Sequence, residues 1–427
     1  MADHRITTLD NGVRIVTEAM PSVRSVALGC WIGTGSRGER DEEAGLSHLI
    51  EHLLFKGSSR YGSLEIDQIF DGMGAELNAG TGKETTSVYS RVLDAHLERA
   101  FDVMSDMVFA PRFEDVDAER EVILEEIAMY EDDPQDKVFD VLGAAIFGDH
   151  PLGRSIIGSA DVVAGTPVEA IRRFHASRYV PSNVVIAAAG AVDHDALVAL
   201  ARERVPDGDR PPAPAPPPAP ARHAPRVRFE RKDTEQYHVC LGGPGIARDD
   251  ERRFALRVLD TIFGGTSSSR LFQEVRERRG LAYAVYSFTG QYADTGQVGL
   301  YVGTRADNVA PALEVVAREL ARLRREPATA DELARAKENL KGRVVLSLES
   351  TGSRMNRLGS SVLTGQPLLS VDEVVARIDA VTIDDVAQLA HELLAPGQLS
   401  AAGIGPDEDA FAAALAPLAP EPVGSSR

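Results

Sequence analysis

Residues 206–225 read PDGDRPPAPAPPPAPARHAP, and this run constrains the fold more than any other stretch of the chain. Proline lacks an amide hydrogen and has a fixed φ, so such a run joins neither a helix interior nor a central strand. In polyproline conformation, at ~3.1 Å per residue, some 20 residues reach roughly 60 Å. That length leads the chain from one domain to the next. A chain of 427 residues is too long for one ordinary core. The expected organisation is therefore an N-terminal domain at 1–209, a linker at 210–225 and a C-terminal domain at 226–427.

The two halves read as distant repeats. One contains SVALGCWIGTGSRGERDEEAGLSHLIEHLLFKGSSR and the other YHVCLGGPGIARDDERRFALRVLDTIFGGTSSSR. Each is an apolar strand, a glycine-containing turn, a charged stretch, an apolar helix, then a Gly/Ser turn and an arginine. Such self-similarity points to duplication of one α+β unit. The polar triplet His48, Glu51 and His52 has no counterpart, because the second copy carries the apolar stretch Val258 to Phe263 there.

Hydrophobic patterning predicts strands over 13–18, 24–32, 84–93 and 183–191, then over 226–231, 236–242, 281–289 and 296–303. Helices are expected over 44–55, 64–72, 94–108, 114–131 and 167–177, and over 251–263, 308–324, 329–349 and 371–393. Cys30 and Cys240 lie in apolar strand-like runs and read as small core residues, since two cysteines make no disulfide scaffold. A net charge of -19 argues against nucleic acid, whose binding depends on neutralising phosphates, and against anionic membrane surfaces. It suits basic or extended peptides, and equally suits plain solubility. No run approaches ~18 consecutive apolar residues, so no membrane span is expected. MADHRITTLDNG resembles neither a secretory signal nor a presequence, which makes a cytoplasmic location the expectation.

The segment HLIEHLLFKG at 48–57 carries the chemistry. On a helix, residues four apart differ by about 40° and one turn of rise, so His48 and His52 project side by side. Glu51 lies about 60° to the other side of His48. Two imidazoles and an adjacent carboxylate supply two zinc ligands and a base, in the inverted order H-x-x-E-H. Leu46, Leu49, Ile50, Leu53, Leu54 and Phe55 bury this helix on nearly every side, and buried polar groups need partners. A metal supplies them. A third ligand is expected from AEREVILEEIAMYEDD at 118–133. Glu119 and Glu126 share a face two turns apart, Glu121 and Glu125 form a second pair, and periodicity alone does not choose between Glu125 and Glu126.

Together, GSRGERDEEAGLSHLIEHLLFKGSSR, LNAGTGKETTSVY and EREVILEEI resemble the pitrilysin-type inverzincin metallopeptidases. Among these the sequence is most similar to the β-subunit of the mitochondrial processing peptidase and its bacterial relatives. The likeness continues through KVFD (137–140), HPLGRSIIG (150–158) and SSSRLFQEVRERRGLAYAVYSF (267–288), and so spans most of the chain. It implies an α+β fold of two homologous domains, each a mostly antiparallel sheet packed with helices, forming one half-shell of a clamshell chamber. It implies one Zn2+ held by His48, His52 and Glu126, with Glu51 as general base and Glu119 orienting a ligating histidine. Peptide substrates would be held as an added strand beside Asn78 and Ala79. Asp136 and Asp140 would receive a basic substrate residue. Arg276 and Tyr283 would stabilise the scissile carbonyl. Because one chain holds one half-shell, the resemblance implies a homodimer in which Arg276 and Tyr283 act in trans.

Other readings compete. GTGSRG at 33–38 fits G-x-G-x-x-G, but dinucleotide binding needs a helix to open at once, and the charged GERDEEAG intervenes. GGTSSSR at 264–270 lacks a following G-K-[ST] and reads as a mobile loop over the chamber. A non-catalytic scaffold or partner subunit is the alternative to an enzyme, although such relatives usually lose part of H-x-x-E-H.

Overall fold

The computed structural model describes residues 4–207 and 211–418, so the expected domain boundary at 209–210 lies outside the described residues. The first sheet contains β1 (His4–Thr8), β2 (Arg14–Ala19), β3 (Ser25–Ile32), β4 (Glu76–Thr81), β5 (Thr86–Leu93) and β6 (Val184–Gly190). The second contains β7 (Val227–Arg231), β8 (Gln236–Gly245), β9 (Ala284–Gln291), β10 (Gly296–Arg305) and β11 (Ser400–Gly405). Their spatial orders are β1-β2-β6-β3-β5-β4 and β7-β11-β8-β10-β9.

Without β1, the two orders superimpose strand for strand. In each sheet one outer strand runs parallel to its neighbour, β2 to β6 and β7 to β11, and every other pairing is antiparallel. The chain is thus an α+β protein built from two copies of one topology. The free edges at β4 and β9 are equivalent positions in the two copies.

β6 shows why the first sheet sits at the centre of its unit. All seven residues of VVIAAAG are buried. Side chains alternate along a strand, so Val184, Ile186 and Ala188 face one side and Val185, Ala187 and Ala189 the other. The first set joins the main core with helices Leu46–Leu53, Leu97–Phe109, Val168–Arg178 and His194–Arg204. The second set packs with Met355 and Leu358 of helix Thr351–Thr364. A strand buried on both faces reads as a continuous apolar run, which is how 183–191 reads.

The compact units are not continuous in sequence. The first comprises residues up to Ala128, Ser155–Pro217 and Val344–Ser370, and the second Met129–Arg154, Pro218–Arg343 and Val371–Arg427. The expected domains at 1–209 and 226–427 therefore exchange one helix each. Helix Pro134–Phe147 buries Val138, Val141, Leu142 and Ile146 against Cys240, Tyr301, Ala402 and Ile404 of the second sheet. Helix Thr351–Thr364 docks on the first sheet. There the buried Glu18 carboxylate pairs with Arg354 and Arg357, and Arg14 donates to the Val362 carbonyl at 2.9 Å. The exchange follows from apolar area, since each sheet has a bare face that only the other copy's helix covers.

Some elements depart from the patterning. The helix expected over 371–393 is two, Val371–Ala380 and Ile383–Leu393. Thr382 separates them, its side chain accepting from Asp385 N while Asp385 accepts from Thr382 N. The GGTSSSR segment ends on an anchored arginine. Arg270 is buried and forms two 2.8 Å bonds to Glu332. Both cysteines are buried and unbridged. Among the described residues, no helix is long and apolar enough to cross a membrane.

Two outcomes follow. A Cβ added at Gly359 would lie 2.1 Å from Nε1 of Trp31, the single tryptophan. Gly359→Ala is expected to cost about 1–3 kcal/mol by overpacking and to shift Trp31 emission to the red, read by chemical denaturation followed by fluorescence. Arg270 holds the Glu332 carboxyl down to about 2 from an ordinary 4.5. A depressed carboxylate stabilises the fold above its unfolded pKa and loses that contribution as pH falls through the folded value. Glu332→Gln should thus cost about 3 kcal/mol near neutral pH, with the gap to wild type closing as pH falls from ~4.5 towards ~2.

Candidate metal centre

The site is built on helix Leu46–Leu53. Gly45 precedes it with φ 100°, a left-handed conformation in which a side chain would be strained. The first turn of a helix leaves N–H groups without helical partners. Glu39, itself buried, takes two of them, accepting from Gly45 N at 2.9 Å and Ser47 N at 2.7 Å. Leu46, Leu49, Ile50 and Leu53 are fully buried and lock the helix into the first core.

This leaves one polar face. The rings of His48 and His52 lie 4.7 Å apart, edge to face. Helix Val116–Asp132 passes alongside with a buried stripe of Val116, Glu119, Ile123 and Ile127. Glu126 Oε2 lies 3.7 Å from His48 Nε2 and 3.6 Å from His52 Nε2. Glu121 and Glu125 are exposed, so the helix register brings Glu126 and not Glu125 to the histidines. Glu119, 5 % exposed, uses Oε2 towards His52 Nδ1 at 3.3 Å and Oε1 towards Lys56 Nζ at 2.8 Å. Among the described residues, His48, His52 and Glu126 are the set that can hold a metal ion.

The donor set fits zinc. Zinc bonds of ~2.0–2.1 Å in a tetrahedron place ligand atoms about 3.3–3.4 Å apart. The 3.6 and 3.7 Å separations lie close to that without any ion to draw the atoms in. Burial, with the neighbouring His52, pushes the His48 imidazole down to about 4, so it is neutral and able to ligate. Burial also pushes the Glu51 carboxyl above the usual carboxylate range, partly offset by hydrogen bonds from Thr81. The Thr81 hydroxyl lies 2.5 Å from Glu51 Oε2.

The other predicted residues fall into two groups. Asn78 and Ala79 lie on the edge strand β4, opposite Tyr89 and Val88 of β5. Arg276, Tyr283, Asp136 and Asp140 belong to the second unit. Arg276 lies in the π-helical segment Phe272–Glu277 and stacks on the rings of Phe272 at 4.7 Å and Tyr283 at 4.6 Å. Tyr283 is 79 % exposed, the largest fraction among the exposed apolar and aromatic side chains. Asp136 and Asp140 flank Tyr130, whose hydroxyl donates to the Asp136 carbonyl at 3.1 Å; burial and both carboxylates push that phenol upward.

The family model described as Insulinase (Peptidase family M16) matches residues 14–160, and that described as Peptidase M16 inactive domain matches 167–340. An uncharacterized zinc protease of Streptomyces coelicolor is 47 % identical over 420 residues, covering 96 % of this chain and 91 % of its own.

The chain belongs to peptidase family M16.

A zinc protease of Bacillus subtilis agrees, 41 % identical over 388 residues and covering 90 % of this chain and 94 % of its own. Two solved structures are similar throughout. A protease from Helicobacter pylori has a TM-score of 0.90 at 23 % identity, over 95 % of this chain and all of its own. A peptidase M16 inactive domain from Pseudomonas fluorescens has a TM-score of 0.88 at 24 % identity, over 95 % and 98 %. At that level of identity they show the fold alone.

Sequence reasoning missed three residues that contact this cluster or its helix: Glu39, Lys56 and Thr81. No helical or strand period marks Glu39, which reaches its partners from a loop. Lys56 reads as an ordinary charge after the helix. Thr81 ends ELNAGT, whose exposures alternate as on an edge strand.

The purified protein is expected to hold about one zinc per chain by mass spectrometry. Glu126→Gln should lose most of it, and Glu119→Gln should weaken zinc about 10–100-fold in a chelator competition.

Proposed function

We propose that this M16 chain is a zinc-dependent endopeptidase. The observation that carries the reading is the convergence of His48, His52 and Glu126 beside a half-buried, hydrogen-bonded Glu51. Bound there, zinc supplies an acidified water and a Lewis acid for the peptide carbonyl. Glu51 takes the proton of the attacking water and passes it to the leaving amine. Glu119 holds the His52 ring through Nδ1, and Lys56 balances its charge.

The substrate in this reading is an extended peptide or unfolded segment, added as a strand at the β4 edge beside Asn78 and Ala79. Main-chain pairing accepts many sequences. Asp136 and Asp140 then favour basic residues near the cut. Arg276, half-buried, and Tyr283, exposed and stacked on it, donate hydrogen bonds to the carbonyl oxygen where charge develops. In this proposal two chains form a homodimer enclosing a chamber, and the Arg276/Tyr283 pair serves the site of the partner chain.

Hydrolysis of a quenched basic peptide tests the reading. Glu51→Gln should retain zinc while kcat falls about 10²–10⁴-fold. Zinc-loaded wild type and Glu51→Gln equally inert towards every peptide would instead favour a scaffold or partner subunit.

A further inference from the structure

We propose that Thr81 is a positioning residue for Glu51: its hydroxyl fixes which carboxylate oxygen stays bound and which is free to move the proton. The inference rests on the peptidase reading and deepens it.

The hydroxyl of Thr81 has three oxygen neighbours: Glu51 Oε2 at 2.5 Å, Thr86 Oγ1 at 3.4 Å and the Ser47 carbonyl at 3.5 Å. It has one proton to give. The carboxylate is the nearest and, when ionised, accepts only. Thr86 already donates its own proton to the Thr34 carbonyl at 3.0 Å. The bond from Thr81 therefore goes to Glu51 Oε2, and proton transfer is left to Oε1.

The donor is held in a rigid frame. Thr81 ends β4 opposite Thr86, which begins β5. The turn between them closes through Gly82 N to Thr85 O at 2.7 Å. Residues of the 34–38 segment grip it further, Ser36 N donating to Gly82 O at 3.2 Å and Arg37 N to Lys83 O at 2.7 Å. The Arg37 guanidinium, almost wholly buried, bonds Glu84 at 2.6 Å and the Pro217 carbonyl at 2.8 Å. The proline run is thus tied to the same turn.

The location gives the bond its use. β4 is the edge strand on which the proposed reading seats the peptide, and its last residue holds the base. One strand then fixes both the substrate main chain and the Glu51 carboxylate. A carboxylate without this anchor rotates about its side-chain bonds, and misplacement by ~1 Å costs rate rather than binding.

The test compares zinc-loaded wild type, Thr81→Val and Thr81→Ser by steady-state kinetics, zinc content and crystal structure. Valine keeps the shape and removes the hydroxyl; serine keeps the hydroxyl. For Thr81→Val, kcat should fall about tenfold or more at unchanged KM and zinc content, with Glu51 in more than one rotamer. Thr81→Ser should restore kcat to within about threefold and return Glu51 to one rotamer. A valine variant with wild-type kcat and a single Glu51 rotamer overturns the assignment, as does a serine variant as slow as the valine. If zinc-loaded wild type hydrolyses no peptide, the peptidase reading falls, and the rotamer comparison alone decides whether Thr81 positions Glu51.

Discussion

Polar groups that must be buried and cannot be left bare govern this molecule. Helix Leu46–Leu53 presents two imidazoles and a carboxylate within a wall of leucine and isoleucine. Unpartnered, each would cost kcal/mol. Much of the first unit supplies those partners. Glu39 covers the first turn, Glu119 lies against one ring, Thr81 holds the Glu51 carboxylate, and Glu126 completes the candidate metal set. His48 Nδ1 is buried without a hydrogen-bond partner, so of the two rings that of His52 is the one steered by a further carboxylate.

Duplication explains the rest of the architecture. Two copies of one strand order carry two different versions of the same helix. In the first copy it holds the metal residues; in the second, Arg253–Phe263, it buries Val258, Leu259, Ile262 and Phe263. Among the described residues, the second copy has no such cluster. It kept a π-helical turn, with an arginine stacked on an exposed tyrosine. Such turns interrupt regular helices and concentrate at working sites.

How legible this was depended on how local the cause is. The H-x-x-E-H spacing placed His48, His52 and Glu51 on one helix, since that relation spans a single turn. Periodicity narrowed the third candidate to one helix and only the family resemblance chose Glu126, because Glu125 and Glu126 differ only in which neighbour each faces. The buried strands β3, β6, β8 and β10 read clearly as apolar runs. β1, β4 and β11 did not, being short, polar or small in residue type. Helix Thr351–Thr364 was invisible for a related reason. TGSRMNRLGSSVLT is rich in serine and glycine, and Met355, Leu358 and Val362 acquire meaning only against the distant strands β2, β3 and β6. The helix exchange is likewise a property of two bare sheet faces and not of any segment.

That exchange has a consequence for how the protein is made. Ribosomes deliver the metal-binding half first, yet Val185, Ala187 and Ala189 stay uncovered until residues 351–364 emerge. The nascent first sheet therefore carries an apolar, aggregation-prone face from the completion of β6 until that helix is made. A gene cut at the proline run would yield two fragments, each carrying a helix the other needs, and neither with a complete core of its own.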